Sequence, residues 1–89
     1  MKILINRPLH LSMLKSEVLD FMDLMKRYAV CGKVYGTGEH QTVTITDQKI
    51  TLDEDSMREV ILALDAASDC PLVLEYTGYD FTFELRKKI

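Results

Sequence analysis

The residue best placed for chemistry is His10. It lies in Asn6-Arg7-Pro8-Leu9-His10-Leu11-Ser12, between an apolar opening run, Ile3-Leu4-Ile5, and a long helical pattern that begins near Ser12. A histidine just before a helix N-terminus faces free backbone N–H groups and the positive end of the helix dipole. A phosphoryl group carried on that imidazole is stabilised there. Arg7 and the Ser12 hydroxyl are the neighbouring side chains able to hold phosphate oxygens.

Elsewhere suitable residue types occur without suitable spacing. Gly36-Thr37-Gly38 has two glycines of a phosphate-cradling turn, but neither the P-loop lysine nor a following helix. It reads as a flexible loop, with His40 exposed on it. Asp53, Glu54 and Asp55 open a helical pattern with no histidine in sequence range. They suit capping and the helix dipole better than acid/base or metal chemistry. Cys31 and Cys70 form neither a CxxC motif nor a zinc set, and two reduced, packed thiols are expected. No metal and no cofactor are called for.

Composition narrows the function classes. Hydrophobic residues make up 47% and charged residues 28% of the 89-residue chain, an ordinary globular balance. One domain, 1–89, is expected. The formal charge of -3 argues against nucleic acid or an anionic membrane as the main partner. No apolar run approaches ~18 residues, so no membrane insertion is expected. The opening residues do not read as a signal peptide, which with the unpaired cysteines points to the cytoplasm.

The elements that must position these residues follow from periodicity. Met1 to Ile5 reads as an interior strand, and Pro8 ends it, leaving 6–11 as a loop. From Ser12 to Ala29, Leu11, Leu14, Val18, Phe21, Met25 and Tyr28 form one helical stripe, with Ser12 as cap and Gly32 as stop. Residues 30–41 are irregular, with a short strand at 33–35. Thr42–Thr46 and Lys49–Leu52 alternate and read as a hairpin about Asp47-Gln48. A second helix starts near Asp53, its stripe being Met57, Val60, Ile61, Leu64 and Ala67, with Leu62 off the stripe. Leu72–Tyr76 and 80–86 read as a closing hairpin. The arrangement expected is an α+β two-layer open-faced sandwich, β-α-β-β-α-β plus a C-terminal strand. Its sheet is mostly antiparallel, with both helices on one face burying Leu14, Val18, Phe21, Met25, Val60, Ile61 and Leu64.

That order, with a histidine before the first helix, resembles the histidine-containing phosphocarrier protein family (HPr) over about residues 2–80. His10 falls where the family carries its phosphorylated histidine. Val43 to Leu52 is similar in length to the family's central hairpin. Ser56-Met57-Arg58-Glu59-Val60 resembles the opening of its second helix, where a regulatory serine lies, which makes Ser56 the regulatory candidate. The family's motif has histidine first and arginine-proline after it; here Arg7-Pro8 come before His10. The resemblance implies a phosphocarrier or regulatory protein of a sugar phosphotransferase system, with that system's proteins as partners. The inverted order implies weak or absent transfer. No Ser/His/Asp, Cys/His, metal or nucleotide set points to a stand-alone enzyme. The alternative is a small non-catalytic protein-interaction domain of ferredoxin-like topology, in which His10 is a loop residue.

Overall fold

The computed structural model describes residues 1–88. Its elements are β1 Lys2–Ile5, β2 Leu9–Leu14, α1 Lys15–Arg27, β3 Gly32–Tyr35, β4 His40–Ile45, β5 Gln48–Thr51, α2 Glu54–Ala67, β6 Leu72–Tyr76 and β7 Thr82–Lys87. The protein is α+β, with two helices and a mixed set of strand pairings. The expected single sheet is replaced by two, ordered β5-β1-β7-β6 and β2-β4-β3. All pairings are antiparallel except β1 with β7.

The two sheets share one bent ribbon. Ile5 opposes Gln48 and Leu9 opposes Ile45. Three residues, Asn6 to Pro8, therefore stand against two, Thr46 and Asp47. One extra residue on one strand is the count of a β-bulge, which bends a strand and lets it change sheets. Pro8 has no ladder donor and suits such a break. This corrects two expectations. The segments around Asp47-Gln48 are not partners in a hairpin, since β4 pairs with β2 and β3 while β5 pairs with β1. Residues 9–11 are strand rather than loop, because the ladder resumes immediately after the bulge.

The Gln48 side chain holds the bend. Its Oε1 accepts from the Cys31 N–H and its Nε2 donates to the Cys31 carbonyl, both at 2.8 Å. Nε2 also donates to the Thr46 carbonyl at 2.8 Å. A side-chain amide here does what a strand backbone would do, tying β5 of one sheet to the entry of β3 in the other.

The first helix starts three residues later than its periodicity suggests. Leu9, Leu11 and Met13 are buried while His10, Ser12 and Leu14 are exposed, a period of two. Leu11 and Leu14 fit both templates, and pairing with β4 decides for the strand. Leu14 is 43% exposed, not buried as expected. Ser12 does not cap the helix. Leu14 occupies the cap, its N–H donating to Glu17 Oε1 at 3.2 Å. The stop is Ala29, not Gly32. Ala29 has φ 58°, Val30 N–H donates to the Met25 carbonyl at 2.8 Å, and Ala29 N–H to the Lys26 carbonyl at 3.1 Å. This is a Schellman motif with alanine at the position glycine usually takes. Gly32 instead opens β3, where a Cβ would come within 3.1 Å of Ile45 Cδ1.

The second helix follows its sequence closely. Asp53 caps it, accepting from Ser56 N–H at 2.8 Å, and that bond holds the Asp53 carboxyl below its usual range. Val60 and Leu64 are buried, Ile61 is half-buried and Leu62 is exposed. The helices run antiparallel: Tyr28 donates to Glu59 at one end, and Ser16 and Glu17 share a groove with Ala66 and Ala67 at the other. α1 packs on β2 and β4, and α2 on β2 and α1. One core joins Ile3, Ile5, Leu11, Met25, Val43, Ile45, Val60, Leu64 and Leu85. β1 is interior, as expected, and β6 and β7 form the expected closing hairpin.

Gln48→Ala removes the three 2.8 Å hydrogen bonds at the bend and a longer one, 3.4 Å, to the Thr46 hydroxyl. Each of the three shorter bonds is worth about 1 kcal/mol. Urea denaturation should therefore show a loss of about 1–3 kcal/mol, with the m-value unchanged if the folded state keeps its extent.

Candidate functional site

His10 sits in mid-strand, not before a helix N-terminus, so the dipole argument for it does not hold. It faces outward from the β2-β4-β3 sheet. Pairing rows on that face join His10 with Thr44 and Lys33, Ser12 with Thr42 and Tyr35, and Leu14 with His40. The ring is exposed, and its Nδ1 lies 3.0 Å from Thr44 Oγ1. The nitrogen left for chemistry is therefore Nε2. Thr44 is buried, so His10 and Thr44 do not form a usable nucleophile and base: the hydroxyl is covered, and among the described residues no third side chain orients the imidazole.

The backbone at His10 is pinned from the other sheet. Lys87 Nζ donates to the His10 carbonyl at 2.9 Å and pairs with Asp69 Oδ1 at 3.0 Å. That ion pair holds the Asp69 carboxyl below the usual carboxylate range. Arg7 lies on the bulge and lines a cleft of about 600 Å3 with Asn6, Pro8, Leu9 and Glu84–Lys87. The cleft exists because β1 pairs with β7 only as far as Glu84, then turns away, while β7 continues to Lys87. Arg86 is engaged with Glu75 at 3.0 Å. Among the described residues no ion pair involves Arg7.

Of the four candidates, His10 and Ser12 share one face two residues apart, and Arg7 precedes them on the bend. Ser56 is in the first turn of α2, its N–H on Asp53, with no bond to the other three. Thr44 and Lys87 were missed from sequence. Alternation does place Thr44 opposite the face of Val43 and Ile45. Its pairing with His10 depends on a ladder between distant segments, and nothing local marks Lys87. Among the described residues no group of three His, Cys, Asp or Glu could hold a metal ion, and no helix is long and apolar enough to cross a membrane. Cys31 and Cys70 are both free thiols, Cys31 exposed rather than packed.

A second surface is the tip of the β6-β7 hairpin. Tyr79 is 76% and Phe81 68% exposed. Asp80 and Phe81 both have positive φ, 49° and 50°. A bulky residue there is an outlier that costs about 1–2 kcal/mol. The loop is closed by Thr82 N–H on the Tyr79 carbonyl at 2.9 Å and Thr77 N–H on the Thr82 carbonyl at 3.0 Å. Lys2 N–H donates to the Phe81 carbonyl at 3.0 Å. The Lys2 ammonium pairs with Asp80 and holds its carboxyl below the usual range.

Lys87→Met should let the Asp69 carboxyl titrate closer to an unperturbed aspartate, read from its side-chain 13C shift against pH. A carboxylate with depressed pKa adds stability above the unfolded-state value, and that stability is lost as pH falls through the folded-state value. The stability difference between wild type and variant should therefore narrow below about pH 4.

No protein-family model, curated protein or solved structure matches this chain.

Proposed function

We propose that this chain is a small non-catalytic protein-interaction domain of ferredoxin-like topology, with the Tyr79–Phe81 tip as its contact surface. The observation that carries this reading is Phe81, held in a left-handed conformation with its ring in solvent. Exposed aromatics on a closed loop are what binding surfaces use, since little side-chain entropy is lost when they dock. Topology supports it too. β2, α1 and β3 form a crossover whose two strands are parallel, with antiparallel β4 between them. That is the split β-α-β unit of ferredoxin-like folds. β7 then lies between β1 and β6 as an added strand.

The test is a photo-crosslinking residue at Tyr79, with a control at Glu54 on α2. A discrete adduct from the tip that is not a dimer of this chain, lost in Phe81→Ser and absent from the control, is the expected outcome. Equal labelling from both positions sinks the reading.

A second reading, an HPr-like phosphocarrier or regulator acting with phosphotransferase-system proteins, rests on the exposed His10 ring. Here Nε2 would take the phosphoryl group, Arg7 and Ser12 would serve its oxygens, and Ser56 would be the regulatory site. Incubation with the family's phosphoenolpyruvate-dependent kinase tests it. With Nδ1 on Thr44 and the ring in a strand rather than ahead of a helix N-terminus, no acid-labile label is expected. Stoichiometric label lost in His10→Ala would establish the carrier instead.

A further inference from the structure

Among the described residues β6 is an edge strand, paired with β7 on one side only. Which of its backbone groups face out follows from the bonds it makes. Thr77 N–H donates to the Thr82 carbonyl and Lys88 N–H to the Pro71 carbonyl. In an antiparallel ladder, hydrogen-bonded pairs recur every second residue. Val73 and Glu75 therefore point their N–H and C=O groups at β7, and Leu72, Leu74 and Tyr76 point theirs at the open edge. Leu72 N–H is partly occupied, reaching Asp65 Oδ1 at 3.4 Å. The donors of Leu74 and Tyr76 remain.

We infer that this edge pairs with the same edge of a second copy, antiparallel and centred on Leu74. A two-fold axis perpendicular to a sheet requires the central residue to oppose itself, and the five-residue Leu72–Tyr76 meets this with its middle residue facing out. Leu74 then exchanges both bonds with its counterpart, and each Tyr76 N–H meets a Leu72 carbonyl. Because Leu74 opposes Leu85 within the chain, the inner face gains an unbroken row of four leucines. On the outer face Glu75 opposes Glu84, a like-charge pair offset by Arg86 on Glu75. In the paired assembly Glu75 lies opposite the second copy's Val73, itself opposite that copy's Arg86. Each carboxylate pair thereby gains a second guanidinium about 10 Å away, and no like charges meet across the junction.

The other edges fit a second copy less well. β5 and β3 have four residues each, so neither has a central residue, and each carries a lysine, a common guard against edge pairing. The β2 edge is covered where Lys87 bonds the His10 carbonyl. A five-residue junction buries less than the roughly 800 Å2 per partner of a standard interface. The dimer is therefore weak, with a dissociation constant above about 1 μM.

Sedimentation equilibrium of the whole chain from about 10 μM to 1 mM tests this, with 15N spectra recorded over the same range. A monomer–dimer equilibrium is expected, with concentration-dependent shifts confined to β6 and its flanks. Tyr76→Lys sets a lysine at the junction, in the same row as the second copy's Lys87. Tyr76 is 53% exposed, so the fold should tolerate the change. It should weaken dimerisation at least tenfold while the remaining 15N shifts stay put, and Tyr76→Phe should leave it intact. A strict monomer at 1 mM, assembly beyond a dimer, shifts mapping elsewhere, or an equilibrium untouched by Tyr76→Lys would each overturn the inference. Because Tyr79 and Phe81 play no part in the junction, its failure leaves the hairpin-tip reading standing.

Discussion

The fold depends on one mismatch of length, three residues against two where Asn6–Pro8 passes Thr46-Asp47. A ribbon with matched strands would continue as one sheet. The extra residue turns it, so that β7 and β6 extend one end while β3 extends the other. Ile3 and Ile5 of one sheet then enter one core with Leu11 and Val43 of the other and with Met25, Val60 and Leu64 of the helices. The bend leaves backbone groups without a ladder, and the Gln48 amide replaces the missing strand at Cys31 and Thr46. The Lys87 ammonium makes a second tie between the sheets, at His10 and Asp69. The surface features follow from the same geometry. The Arg7 cleft is the space left where β1 turns from β7, and His10 faces outward because the ladder restarts at Leu9.

Sequence patterns are reliable where a single period governs, and the second helix is such a case. Its cap Asp53, its buried Val60 and Leu64 and its exposed Leu62 all follow from composition and spacing. So does β7, where alternation of Phe83 and Leu85 with Thr82, Glu84 and Arg86 has no helical rival. Patterns mislead where two periods share residues. Leu11 and Leu14 belong to a helical stripe and to a strand alternation, and only the distant β4 separates them. The presumed hairpin at Asp47-Gln48 fails for a related reason. Both flanking segments are true strands, but alternation says nothing about which strand each one pairs with, and the turn lacked the glycine that a tight hairpin favours.

The candidate site was less legible than the fold because its meaning rested on that first boundary. Placed ahead of a helix, His10 would face free N–H groups; placed in a strand, it faces Thr44. Three residues of error in a helix start exchange an anion-stabilising site for a hydrogen-bonded ladder position. The residue identities were visible throughout, but the electric field around them was not, since it is set by which backbone groups are already engaged. Arg7 is different. Its exposure on the bend follows from Pro8, which a reader of sequence can see, and only the nearby end of β7 is added by the fold.

The left-handed residues separate architecture from display. Ala29 bears a strain of about 1–2 kcal/mol, and its neighbours account for it. The Schellman bonds end α1 where Val30 and Met25 enter the core, so the strain is repaid by burial. Phe81 bears a similar strain without that return, because its ring lies in solvent. Its backbone is held by Lys2 and by the turn around Thr82. The hairpin could close with fewer strained residues if the loop were glycine at both positions. Folding alone therefore gives no reason for an exposed phenylalanine in that conformation. A contact made through the ring would supply one, whereas at Ala29 the packing leaves nothing further to explain.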